Sequence, residues 1–132
     1  MNRADYAKSL RENTTVHYNC CQSVLLTFAD EMGLSFEQAY ALGNHFGSGM
    51  RHGATCGVLT GGLMVLGALG YDQKKAALHL LEQFRQAHGA TDCAQLLQSA
   101  QARGEGKKPH CDALVCQLVE LLEREIATQP ST

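Results

Sequence analysis

The chain has 132 residues, a length that suits one domain around one hydrophobic core. Its formal net charge is −2 with both signs scattered, and it carries four Phe, four Tyr and no Trp, so neither a basic stripe nor an aromatic platform points to nucleic acid. The start, "MNRADYAKSLREN", lacks the apolar segment of a secretory signal, and the apolar run from Val58 to Leu69 falls short of the ~20 residues a membrane span needs.

The expectation is a soluble, cytoplasmic protein with no membrane span and no nucleic-acid partner. Six cysteines in a reducing compartment then read as metal ligands, reactive thiols or buried apolar residues rather than as structural disulfides.

The pattern is helical almost throughout. A short amphipathic start covers Ala4 to Arg11. Asn19 is placed to cap a helix from Cys20 to Met32, with Cys21, Val24, Leu25, Phe28 and Met32 on its apolar stripe and Gly33 to stop it. Ser35 and Gln38 have capping-box spacing and open a helix through Phe36, Ala39, Tyr40 and Leu42. "GNHFGSGMRHGA" reads as a loop, because its glycines make helix costly.

Thr55 is placed to cap a helix from Cys56 to Leu69, ending at Gly70. Asp72 is placed to cap the next, whose stripe is Ala77, Leu81, Phe84 and His88, with Gly89 at its end. Thr91 or Asp92 starts a shorter helix holding Cys93, Leu96 and Leu97. "ARGEGKKPH" is linker-like. The last helix runs from about Cys111 to Ile126, burying Val115, Leu118, Val119, Leu122 and Ile126, and "TQPST" is a frayed tail. With no period-2 alternation anywhere, the fold class is all-α: a compact bundle of about six or seven helices over residues 1–132, with the glycine-rich helix buried at its centre.

The cysteines form no C-x-x-C pair, which removes the commonest zinc-ribbon and thioredoxin-type signatures, and no C-x-x-C-H for haem attachment. Their positions are more informative. Cys20, Cys56, Cys93 and Cys111 each fall in the expected first turn of a different helix. Free N–H groups and the positive dipole end there stabilise an anion, so a thiolate is favoured. If those helix starts converge, they make a site for four thiolates or for a cluster they hold. Cys21 lies on a core stripe and Cys116 a turn inside its helix, so both read as packing residues.

Gly57 and Gly61 share a face of the helix that Cys56 begins and leave room for a cofactor or another backbone. Among the histidines, His17, His45, His52 and His110 lie near cysteines or in the glycine loop. His52 and His110, four and one residues before a key cysteine, are the better candidates for a ligand or proton donor. "GSGMRHG" lacks a preceding strand and the spacing of a nucleotide-binding loop.

These stretches together resemble the C_GCAxxG_C_C family of redox-active helical proteins. The matching pieces are "NCCQSVLLTF", "FGSGMRHGATCGVLTGGLMVLG", "TDCAQLL" and "HCDALVCQLVELLE". In "CGVLTG", Val58 stands where the family's CGAxxG motif has alanine, while Cys56, Gly57 and Gly61 match. The resemblance implies redox activity on Cys20, Cys56, Cys93 and Cys111. It also implies similarity to the iron–sulfur portion of split-Soret cytochromes, without their haem portion.

Three functional readings follow. The leading one is an electron-transfer protein holding an iron–sulfur cluster, [2Fe–2S] by preference, on those four cysteines. The second is metal-free dithiol/disulfide or persulfide chemistry, with Cys56 paired to Cys20 or Cys111. The third is a non-catalytic interaction module whose cysteines only pack. A redox partner is implied without being identifiable, and a homodimer through the glycine-rich helix is compatible with the sequence without being demanded by it.

Overall fold

The computed structural model describes residues 2 to 128. Helix α1 spans Arg3–Glu12, α2 Cys20–Thr27, α3 Ala29–Met32, α4 Phe36–Gly43, α5 Gly57–Ala68, α6 Lys74–His88, α7 Cys93–Ala102 and α8 Lys107–Thr128. Among the described residues no strand forms, and Thr55 and Asp92 make one isolated antiparallel bridge. The fold is all-α. No described helix is long and apolar enough to cross a membrane. Of the expected tail, Thr128 ends α8 and the rest lies outside the described residues.

Local rules account for most boundaries. Gln22 N–H donates to Asn19 Oδ1 at 2.7 Å while Asn19 N–H donates to Gln22 Oε1 at 2.9 Å, and Ser35 and Gln38 repeat this reciprocal box at α4. Gly33 and Gly89 end their helices in left-handed backbone, with φ of 73° and 82°.

Several boundaries depart from expectation. The helix read as Cys20–Met32 breaks at Phe28, where φ is −109° and ψ is 11°. The hydroxyls of Ser23 and Thr27 donate back to the carbonyls of Asn19 and Ser23, a pattern that bends helices just ahead of the break. Asp72 does not cap α6. Gln73 holds that position without a side-chain bond, and the buried stripe is Ala76, Leu80 and Phe84 rather than one through Ala77 and Leu81. Part of "ARGEGKKPH" is helix: α8 starts at Lys107, because Pro109 falls in the first turn, where a missing N–H has no helical partner to lose.

The glycine-rich α5 packs against α2, α6 and α8, in the central position expected of it. Its contact with α2 is close because Gly61 has no side chain: a Cβ there would lie 3.2 Å from Val24 Cβ and 3.3 Å from Cys21 O. α2 is buried on every side from Cys21 to Thr27. Its polar groups are nonetheless satisfied, since Gln22 Nε2 donates to Tyr40 O and the two hydroxyls bond within the helix. Leu59, Phe84, Leu118 and Leu122 are essentially fully buried in one continuous core, each contributing roughly 1.5–3 kcal/mol of burial free energy.

Candidate functional site

Three helix starts meet at one place. Cys20 is the first residue of α2, Cys56 is the N-cap of α5, and Cys93 is the first residue of α7. Two reciprocal backbone bonds pin the last two together: Cys56 N–H donates to Thr91 O at 2.9 Å and Cys93 N–H to Ala54 O at 2.7 Å. Thr55 and Asp92 therefore serve as a bridge. Thr55 is not the expected cap, since Cys56 occupies that position, and Asp92 sits at the N-cap of α7 without a side-chain bond.

Cys111 arrives differently. It lies in the second turn of α8, not the first, because that helix begins four residues earlier than read. It lines the same cavity as Cys20, and the two thiols act on each other's protonation.

All four cysteines line a single cavity of about 280 Å³. Cys56, Cys93 and Cys111 are 4%, 9% and 8% exposed, and Cys20 is half-buried. Among the described residues, no three His, Cys, Asp or Glu side chains are grouped as a ready cage for a metal ion. Gly57 lines the cavity, whereas Gly61 faces Val24 and Cys21 of α2 and is not part of the lining. Cys21 is fully buried in the core, and Cys116 is a half-buried thiol donating to Ala4 O at 3.8 Å, so neither joins the site.

Electrostatics reverse part of the expectation. Burial pushes the Cys56 thiol up to about 12, against the opposing pull of the Val58 and Leu59 N–H groups at its sulfur. Burial also raises Cys93, and negative charge on Cys111 adds to it. The helix-start effect is real at Cys56 but loses to desolvation. Cys111, away from any first turn, is the thiol held down, to about 7. The hydrogen bond from Cys20 is the main cause, and Arg11 and Lys107 add attraction. Cys20, as the partner that keeps its proton, is pushed well up by the same bond and by burial.

Arg11 and Lys107 are lining residues that the sequence reading missed. Arg11 is buried, its Nε donating to Asp112 Oδ1 at 2.8 Å and its Nη1 to Tyr18 O at 2.7 Å. A charged residue one position beyond Leu10 on the buried stripe of α1 was the available signal. Of the two favoured histidines, His110 lines the cavity and His52 stays exposed outside it. His110 is 6% exposed, and its Nε2 is buried without a hydrogen-bond partner among the described residues. His17 also reaches the lining, while His45 Nδ1 accepts from Arg51 Nε at 3.0 Å.

The glycine loop forms one wall. Ser48, Gly49, Met50 and Arg51 have φ of 53°, 60°, 58° and 65°, a run of left-handed backbone closed by Ala54 N–H donating to Gly49 O at 2.8 Å. Side chains make that conformation unfavourable by roughly 1–2 kcal/mol per residue. Three of these four residues are not glycine, so the turn is strained.

The fold and site define a helical protein with four cysteine thiols gathered on one cavity. The chain belongs to the C_GCAxxG_C_C family, described as "Putative redox-active protein (C_GCAxxG_C_C)", whose model matches residues 18–125. No curated protein and no solved structure matches it.

Proposed function

We propose that this protein transfers electrons through an iron–sulfur cluster held by Cys20, Cys56, Cys93 and Cys111. The observation that carries the reading is that these four cysteines line one cavity. Four thiolates are the usual complement for such a cluster. A volume of about 280 Å³, against a water's share of roughly 30 Å³, leaves room for a group of several atoms.

The surroundings fit it too. His110 Nε2 is an orphaned polar atom in the lining residue next to Cys111, available as a hydrogen-bond donor to the occupant. Arg11, Lys107 and the N-termini of α2, α5 and α7 offset negative charge. When bound, the cluster would supply one-electron oxidation and reduction. The chain's part is to supply and aim four sulfurs, limit water and set the potential by charge and hydrogen bonding.

The test is anaerobic reconstitution with ferrous iron and sulfide. Expected are a brown protein with stoichiometric iron and sulfide, and loss of colour on changing any of the four cysteines to serine. A colourless, iron-free chain after reconstitution under several conditions sinks the proposal.

The presence of Cys20 and Cys111 on one cavity, with the Cys111 thiol held down beside Cys20, favours a second reading, metal-free thiol–disulfide exchange. The pair differs from those centred on Cys56. Cys111 thiolate would attack a substrate disulfide, forming a mixed disulfide and releasing one substrate thiolate. Cys20, giving up its proton to that thiolate, would then displace the second, leaving a Cys20–Cys111 disulfide. Two electrons pass from the thiol pair to the substrate. Disulfide mapping after exposure of the metal-free protein to a small disulfide decides it: a Cys20–Cys111 bridge supports the exchange, and mixed disulfides that never resolve refute it.

A further inference from the structure

We infer that the left-handed turn at Ser48–Arg51 is a spring-loaded gate over the cysteine cavity, latched by Arg51. The inference concerns access and holds whatever the cavity contains.

The argument starts from where the loop touches. Asn19 Nδ2, beside Cys20, donates to Gly43 O at 3.0 Å and to Asn44 O at 3.3 Å. Gly57, beside Cys56, lies so close under Phe46 O that a Cβ would sit 2.7 Å from it. Gly49 is pressed on Cys93, where a Cβ would sit 2.7 Å from Cys93 Cβ and 2.4 Å from Ala54 O. One short loop therefore rests on all three cysteine-bearing helix starts, and its residues Gly47, Ser48 and Gly49 line the cavity. Lifting it exposes Cys56 and Cys93, which are otherwise buried.

The loop is also held against a backbone preference. Met50 and Arg51 keep left-handed φ while being exposed, so no core packing fixes them. What fixes the turn is the Ala54 to Gly49 bond and the Arg51 side chain, whose Nε donates to His45 Nδ1 at 3.0 Å and whose Nη2 donates to Asn44 O at 3.1 Å. A strained closed state held by a few hydrogen bonds and by Gly49 packed on Cys93 opens locally at less free energy than the core needs to unfold. Relaxation of Met50 and Arg51 to ordinary backbone then favours the open form.

The test is site-resolved alkylation of the reduced, metal-free full chain at fixed pH, read by mass spectrometry. Cys21, fully buried in the core, reports global unfolding, and Cys116, against α1, reports the far side. Arg51→Ala should speed alkylation of Cys56 and Cys93 about tenfold, the effect of losing one or two hydrogen bonds, and leave Cys21 and Cys116 unchanged. Met50→Gly should slow Cys56 and Cys93 by about threefold, because glycine accepts the closed backbone without a Cβ clash although it gains freedom when open. Opposite shifts confined to the cavity thiols support the gate. If Arg51→Ala leaves their rates unchanged, or moves Cys21 in parallel, the gate is wrong.

Discussion

Gly57 and Gly67 lie on the same helix, and the same substitution at each should move stability in opposite directions. A Cβ on Gly57 would stand 2.7 Å from Phe46 O, 3.1 Å from Cys21 N and 3.3 Å from Cys20 Cβ. The two closest are backbone atoms, which cannot swing aside, so relief requires α5 to shift from α2 and from the glycine loop. Overpacking of this kind costs about 1–3 kcal/mol, and the better helix propensity of alanine offsets about 0.5–1 of it. Gly67 is exposed and its Cβ would meet nothing within 4 Å, so alanine there keeps the propensity gain alone. At about 3–5 °C per kcal/mol for a chain of this length, Gly57→Ala should lower the melting temperature by about 5 °C and Gly67→Ala should raise it by about 3 °C. Urea titration and thermal melts of the reduced protein, followed by circular dichroism, measure both. The packing argument fails if Gly57→Ala is as stable as the unsubstituted chain, or if the two variants shift the same way.

Cys111 should react with iodoacetamide along a curve with its midpoint near the value of about 7 that Cys20 imposes, and Cys20→Ala should move that midpoint upward by removing the donor. A midpoint indifferent to Cys20 would refute the pairing. Cys56 and Cys21 are raised by burial to about 12 and about 11, so the folded chain holds those protons more tightly than the unfolded one. Their stabilisation is complete below an ordinary thiol pKa of about 8.5 and is lost as pH rises toward 11–12, so the urea midpoint should fall across that window. Cys111 has the opposite sign: its contribution is present above the ordinary thiol value and disappears as pH drops through about 7. A urea midpoint flat from pH 8.5 to 11 would contradict the burial argument. Asn19→Ala should cost about 1–2 kcal/mol in a denaturant titration, since it removes a helix cap and two bonds to the loop, and a loss below about 0.3 would show the cap to be idle.

What was legible and what was not divide along the range of the forces involved. Asn19, Ser35, Gly33 and Gly89 act within four residues, so their caps and stops could be read directly from sequence. That let Cys20 be placed at a helix start from its cap, whereas Cys56 and Cys93 were placed there through Thr55 and Asp92, neither of which makes a side-chain cap bond. The bridge that sets Cys56 beside Cys93 joins Thr55 to Asp92 across 37 positions, and no local rule announces it. Arg11 became a cavity residue only because α1 packs on α8 and brings Asp112 to it. The thiol chemistry shows the same division more sharply. A helix start lowers a thiol's pKa through bonds to its own first turn, a local effect and therefore foreseeable. Burial raises it through everything packed around, a global effect that at Cys56 is the larger. The thiolate most available near neutrality is consequently Cys111, whose low pKa comes from a sulfur 91 positions away in the chain. Cavity chemistry here depends on which helix ends the fold brings together, more than on the end each cysteine occupies.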